Sequence, residues 1–415
     1  MIASSVSVVV VSRGRPEALT LCLTGLGQLI HPNFEIVVVA DPEGLAATLA
    51  AGWGDRVKMV SCDVPNISIA RNLGIEQAAG EVVAFIDDDA VPEPTWLAAL
   101  TAPFADPEVA AAGGFVRGRN GISFQWRARE AFADGTAEEL KVDTDQVSLR
   151  RGVRGRAIKT EGTNMAFRRQ VLADLGGFDP AYHFYLDETD VNMRLAAKDC
   201  LTAIVPMAQV HHGFAASRRR RGDRVPLDLF EIGASLAAFV LRHGAGLDHD
   251  TIRQSERDRQ RKRLLGHMVA GRIGPEDVGR ILATFDAGWR DGQTRKPIGL
   301  TPLGQPAVSF QKFTPTTHKG HVIYGCRPWQ RRSAHRKTLA AVAGGYHASL
   351  FVFSPTIRRH SIRFTPQGYW LQRGGLFGAS KRDQRVMRFW NFSSRLQAEV
   401  EDVTNFRQIP QIYFN

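Results

Sequence analysis

Glu81-Val82-Val83-Ala84-Phe85-Ile86-Asp87-Asp88-Asp89 decides how this chain reads. A near-continuous apolar run ends in three adjacent carboxylates. Such a run fits a strand buried on both faces, as in parallel sheets. Three acids at the end of that strand repel one another, and a low dielectric nearby raises the cost. A divalent cation would relieve it. Oxygen ligands favour Mg2+ or Mn2+, which commonly bridge carboxylates to a diphosphate. A solvated acidic turn is the plainer reading of the triplet taken alone.

Upstream, Val6–Val11, Phe34–Val39 and Val57–Cys62 read as further buried strands. Pro16 opens a helix over Glu17–Leu29, and Gly80 stops another over Ile69–Ala78. Strand and helix in alternation predict a mostly parallel sheet with helices on both faces. Ligands bind such sheets at the carboxyl ends of the strands, where Asp41 and Asp87–Asp89 both fall. Downstream, the pattern predicts helices over Thr95–Phe104, Gln170–Leu175 and Thr189–Lys198, and a short strand over Ala203–Pro206. Gly118–Glu161 reads as loops with some helix. Pro226–Arg290 is helical, and Arg290–Gln305 is rich in Gly, Pro and Thr, as linkers are. Strands at His321–Cys326 and Leu350–Phe353, a helix over Ser333–Ala343 and a hairpin over Ser361–Arg373 predict a small α/β unit. The expected division is therefore an α/β domain over 1–225, a helical segment over 226–295, a linker over 296–316 and an accessory module over 317–415.

Composition narrows the class. The chain has 415 residues, 44% hydrophobic and 23% charged, which excludes wholesale disorder. No apolar run approaches the roughly 20 residues a membrane helix needs. Met1 to Val11 has no basic region and no small-residue cleavage site, so a secretory signal is not expected. Four scattered cysteines match no zinc spacing and no disulfide framework. A cytoplasmic protein is the expectation. The net charge is +11, and Thr317–Asn415 alone holds 16 Lys/Arg against 4 Asp/Glu. The last module is thus basic, and the rest is close to neutral. Basic modules bind phosphates, anionic lipid surfaces, acidic polysaccharides or nucleic acid.

Other residues carry chemistry by position. Arg71 and Asn72 open a helix, where an anion is favoured and a guanidinium fork suits phosphate. Asp41 could accept from a nucleobase or ribose, or simply shape an Asp-Pro turn. Asp187 and Glu188 stand at a helix N-terminus. Capping explains Asp187, while Glu188 could be a general base, with Arg194 pairing one of the acids. His211-His212 follows a strand, and an imidazole there could complete a metal shell. The run Arg218–Arg221 could close over a leaving group or face a membrane. Trp329, Tyr369, Trp370 and Trp390 stand among arginines, suiting sugar or headgroup contact, or a small core.

In this order and spacing the motifs resemble family 2 glycosyltransferases with the GT-A fold. The resemblance rests on Val8–Arg15, Phe34–Asp41, Ala70–Gly74, Phe85–Asp89, Gly162–Phe167, Gly176–Asp179, Asp187–Asp190 with Arg194, and His211. It implies an inverting transfer of a sugar from a nucleotide diphosphate sugar to a hydroxyl. The implied nucleotide contacts are Ser12, Arg15, Asp41, Arg71, Asn72, Asp87 and Asp88. Asp87 and Asp89 fall on the metal-holding motif, with His211 as the third ligand and Mn2+ or Mg2+ as the ion. The base falls on Glu188, with Asp187 beside it in an order reversed from the family pattern. Gly176–Asp179 would shape the acceptor side. The implied acceptor is a saccharide or lipid-linked sugar, as in surface polysaccharide or glycolipid synthesis. Contact of the basic module with an anionic membrane or acidic polymer, at the inner face of the membrane, is a further expectation, and nucleic acid is not an expected partner. A nucleotidyltransferase of sugar metabolism, or a degenerate transferase serving a basic binding module, are the alternatives.

Overall fold

The computed structural model describes residues 4–213, 217, 219–295, 299–315, 319–408 and 413–414. Its first half is a run of β1 (Val6–Ser12), α1 (Pro16–Leu26), β2 (Phe34–Ala40), α2 (Pro42–Ala50), β3 (Lys58–Ser61), α3 (Ile67–Gln77) and β4 (Val82–Asp87). β1 pairs in parallel with β2 and β4, and β2 with β3. α2 replaces the turn expected at Asp41-Pro42: Pro42 enters the helix and Asp41 caps it.

β5 (Ala90–Pro92), α4 (Trp96–Thr101), β6 (Val109–Arg117), β7 (Phe124–Trp126), β8 (Arg129–Phe132), β9 (Ala137–Glu139), β10 (Ser148–Arg151), β11 (Arg156–Lys159), β12 (Asn164–Arg168), α5 (Arg169–Asp174), α6 (Asp187–Ala197) and β13 (Leu201–His212) follow. The main sheet runs β10-β13-β6-β12-β4-β1-β2-β3, with β5 and β7 at its margins. β12 is antiparallel to β4 and β6, whereas β13 is parallel to β6. The stretch expected as loops with some helix is instead β7 to β11, short half-buried strands whose polar faces hide their period. β13 is much longer than the strand expected at Ala203–Pro206 and carries both histidines within it.

The sheet is buried on both faces, as the apolar runs require. Val6, Val8 and Val10 pack with Leu19, Leu23 and Leu26 of α1 and Trp96 of α4. Val9, Val83 and Phe85 pack on the other face with Ile75 of α3 and Val191 of α6. Each such side chain contributes roughly 1.5–3 kcal/mol of burial.

α7 (Phe230–His243), α8 (His249–Val269) and α9 (Pro275–Gly292) form a helical unit whose core includes Tyr182 and Met193 of the preceding domain. Residues 299–315 carry no regular structure, as a linker should not, yet they are pinned across the first domain. Leu303 N–H donates to Ala173, Ala307 N–H to Glu76 and Phe313 N–H to Phe34. Phe313 is buried against Trp53 and Phe34.

The last unit comprises β14 (His321–Cys326), α10 (Arg331–Ala343), β15 (His347–Ser354), β16 (Ser361–Phe364), β17 (Trp370–Gly375), α11 (Phe392–Arg407) and β18 (Tyr413–Phe414). Its sheet runs β16-β17-β15-β14-β18, parallel except for the β16–β17 hairpin. Tyr369 and Trp370 belong to its core, while Trp329 is 72% exposed. The unit is clasped to the first domain. Arg407, only 1% exposed, donates to both oxygens of Glu93 at 2.8 Å and to Ser349 at 3.0 Å. Thr95 N–H donates to Phe406, and Gln28 reaches the Gly368 carbonyl. All four cysteines are free. Among the described residues no helix is long and apolar enough to cross a membrane.

Candidate active site

The carboxyl ends of β1 and β4 lie side by side, because Val11 and Asp87 share a register position. This juxtaposition builds the first half of the site. Ser12 donates to Asp88 at 2.6 Å, and Arg15 pairs with Asp88 at 2.6 Å and with Asp89 at 3.3 Å. Asp88 is fully buried, and that burial, with Asp89 and Asp87 beside it, pushes its carboxyl up to about 7 despite Arg15 and Ser12. Asp88 is therefore the anchor that holds the β1 loop against β4.

Asp87 and Asp89 face a different way. Together with His212 they each offer one ligand atom, all within 4.8 Å of one another. His212 Nε2 lies 3.1 Å from Asp89, and its Nδ1 lies 3.0 Å from the Gln125 Oε1 on β7. An imidazole whose Nδ1–H donates to an amide oxygen presents the Nε2 lone pair outward, the arrangement that orients a metal-binding histidine. Two carboxylates and an imidazole held in this way suit a divalent cation such as Mn2+.

His211, the histidine expected among the metal ligands, does not join this group. Consecutive residues of a strand point to opposite faces. His211 turns away to Glu93 at 2.8 Å and packs at a tilt against Trp370, ring centres 4.7 Å apart. With the histidines inside β13, alternation selects His212. Two other expected nucleotide contacts are used structurally. Asp41 accepts from the Gly44 and Gly14 N–H groups, capping α2 and tying down the β1–α1 loop. Asn72 clamps Phe178, donating to its carbonyl at 2.7 Å and accepting from its N–H at 2.8 Å.

The second half of the site comes from the start of α6. Leu186 adopts a left-handed φ of 65°, uncommon for a side chain of its size, and this turn presents Asp187 and Glu188. Arg71 joins the two halves. It is 3% exposed, pairs with Asp187, lies 3.6 Å from Asp87 and donates to the Gly162 carbonyl. Thr163 donates to Asp87 at 2.5 Å. Burial, aided by Glu188, raises the Asp187 carboxyl above the usual range despite Arg71. Glu188 is mostly covered, but Lys159 overcomes that desolvation and holds its carboxyl well below the usual range. Lys159 also donates to Thr189 at 2.9 Å and pairs with Glu161 at 3.6 Å. Arg194 pairs with Asp190 and donates to the Leu175 and Gly177 carbonyls, fixing the glycine turn. Asp179 is held by Arg242.

An open cavity of about 520 Å³ lies over the β7–β8 stretch. Gln125, Trp126, Arg127 and Arg129 line it with Arg382 of the last unit. Trp126 lies 5.9 Å from the His212 ring, and Arg129 pairs with Glu161 beside Lys159. Arg220 is close enough to Asp89 to be stabilised by its charge, although burial lowers its pKa overall. Arg218 lies outside the described residues.

Gln125, Lys159 and Thr163 escaped the expected set. The first two lie in the stretch read as loops. Thr163 stands inside the Gly162–Phe167 segment that carries the resemblance, with no role attached to it there.

The mostly parallel α/β sheet with helices on both faces is a GT-A fold. Residues 7–176 match the Glycosyl transferase family 2 model, and this N-terminal domain belongs to that family. The chain is 28% identical over 251 residues to the O-antigen biosynthesis protein RfbC of Myxococcus xanthus, covering 53% of this chain and 18% of that one. It is 31% identical over 159 residues to a glucosyl-dolichyl phosphate glucuronosyltransferase of Haloferax volcanii, covering 37% and 48%. The chain thus spans about half or less of these relatives. A mannosyltransferase of Pyrobaculum calidifontis solved with GDP-Man and Mn2+ is similar at 16% identity, with a TM-score of 0.41, over 83% of this chain and 77% of that one.

Proposed function

We propose that the chain transfers a sugar from a nucleotide diphosphate sugar to a hydroxyl acceptor, with inversion at the anomeric carbon and with a divalent cation. The observation that carries this reading is the convergence of Asp87, Asp89 and His212 on one side and Asp187 and Glu188 on the other, joined through buried Arg71. Asp87, Asp89 and His212 would hold the cation, which when bound neutralises charge on a diphosphate. Ser12 and Arg15, at the end of β1, border the nucleotide side, with Arg220 near Asp89.

Glu188 is the base in this reading. Its side chain is 14% exposed, against 2% for Asp187, and Lys159 keeps it ionised at neutral pH. An ionised carboxylate accepts the proton of the attacking hydroxyl. Asp187 positions Arg71 rather than reacting. The acceptor enters through the cavity lined by Gln125, Trp126, Arg127 and Arg129. The names of the relatives, an O-antigen biosynthesis protein and a dolichyl phosphate glucuronosyltransferase, support a saccharide or lipid-linked acceptor in surface polysaccharide or glycolipid synthesis.

The test is a thermal-shift panel of nucleotide sugars with and without Mn2+, since a ligand of the native state raises its stability. Product analysis follows on the sugar that binds. Release of nucleoside diphosphate with an inverted anomeric centre is expected, and Asp89→Ala should abolish Mn2+-dependent donor binding. Pyrophosphate release, or donor binding indifferent to Mn2+ and to Asp89→Ala, overturns the reading.

A further inference from the structure

We infer that the carboxyl-end rim of the C-terminal sheet is a docking surface for an anionic lipid bilayer. The parallel strands β14, β15 and β17 end on the same edge, at Cys326, Ser354 and Gly375. The loops that follow are stitched together. Gly375 N–H donates to the Arg358 carbonyl at 2.7 Å, Phe377 N–H to Thr356 at 3.1 Å and Arg388 N–H to Phe377 at 3.0 Å. From this rim Trp329, Ile357, Val386, Met387 and Phe389 project into solvent, Trp329 and Phe389 by 72% and 79%. A cluster of exposed large apolar side chains on one edge marks an interaction surface, whereas scattered ones do not.

The charges on the same edge choose the partner. From Arg327 to Asn391, Asp383 is the one acidic residue of the sequence, among Arg331, Arg332, Arg358, Arg359, Arg385 and Arg388. Arg331, Arg358 and Arg363 all lie near Arg373 and disfavour its charge, in addition to burial. Like charges gathered with few counter-charges, Asp383 and the Asp402 partner of Lys381 among them, fit a surface of phosphates. An acidic polysaccharide would match the arginines but leave Ile357, Val386 and Met387 in water. A bilayer with anionic headgroups satisfies both sets at once. The opposite edge is already taken: near it Ser349 accepts from Arg407, and Trp370 packs at a tilt against His211 of the first domain. The module is attached mainly by one edge; on the rim side Arg382 reaches the first-domain cavity beside Gln125 and Arg129, while Trp329, Ile357, Val386, Met387 and Phe389 stay exposed.

The experiment uses the full chain and co-sedimentation with vesicles of phosphatidylcholine, alone or mixed with phosphatidylglycerol. Two variants change only exposed side chains, Trp329→Ser with Phe389→Ser, and Arg332→Glu with Arg359→Glu. Binding to the mixed vesicles that weakens with added salt is expected, with a loss of about tenfold or more in either double variant and an unchanged melting temperature. No preference for anionic vesicles, or full binding by either variant, overturns the inference. Retention on a soluble acidic polysaccharide without vesicle binding also overturns it and assigns the rim to a polymer. The readout requires no sugar transfer, so it stands or falls separately from the proposed activity.

Discussion

Two mostly parallel sheets in this chain end in edges of opposite character. The edge of β1 and β4 gathers Asp87, Asp88 and Asp89, and cations from neighbouring elements (Arg15, Arg71) hold them in place. The edge of β14, β15 and β17 gathers arginines and exposed aromatic rings, and acids are nearly absent from its loops. Topology supplies a crevice or rim at the carboxyl ends in both cases. What differs is burial. The acidic edge is enclosed by α6 and β13, so every charge there has a partner and a fixed geometry. The basic edge is open, so its groups are placed for a partner from outside.

The contrast can be broken at several points. The largest effect is expected at the enclosed edge, where Glu188→Gln should lower turnover by about 10²–10⁴-fold while donor binding, read by thermal shift, stays intact. Near-normal turnover removes Glu188 from the role of base. Next is the clasp between the two sheets. Glu93→Gln leaves Arg407 buried without its carboxylate, a loss of roughly 3–5 kcal/mol of stability by denaturant titration. Burial opposes ionisation of Glu93, but Arg407 and His211 hold its pKa well below the ordinary 4.5. A carboxyl depressed by folding stabilises fully above its unfolded value and ceases to as pH falls below it. The wild-type advantage over Glu93→Gln should therefore be present above pH 4.5 and shrink below it.

Smaller effects sharpen the picture within the acidic edge. Gln125→Ala should weaken Mn2+ binding by about 10–100-fold in calorimetry, because it removes the acceptor that orients His212. An unchanged affinity would mean that His212 is not oriented through Gln125. Lys159→Met removes the strongest influence opposing the burial of Glu188 and leaves the weaker one of Arg71, so the acid limb of the pH–rate profile should move upward by about 1–3 units. A fixed limb would separate Glu188 from that titration.

Much of the enclosed edge was legible in the sequence because parallel strands buried on both faces are written as unbroken apolar runs. β1, β2, β3 and β4 fall where those runs predict, and so do the acids at their ends. The parts that escaped lack such a signature. α2 hides behind Asp-Pro, which reads as a turn until Asp41 is seen capping a helix. β7 to β11 have one polar face each and only a few residues, too few to show a period. α11 buries one helical face, but half of that face is charged: Arg395, Glu399 and Arg407 stand beside Leu396, Val400 and Val403, so the apolar stripe is faint in the sequence. The choice between His211 and His212 depended on a strand boundary. A strand ending at Pro206 says nothing of which way either ring points, whereas one ending at His212 decides both.

The strap over residues 299–315 has a consequence for handling the protein. Phe313 is wedged between Trp53 and Phe34 before the last unit begins, and Arg407 grips Glu93 near that unit's end. The unit is therefore moored fore and aft. A protease nick inside the strap would cut the chain yet leave both fragments travelling together on a sizing column until denaturant parts them.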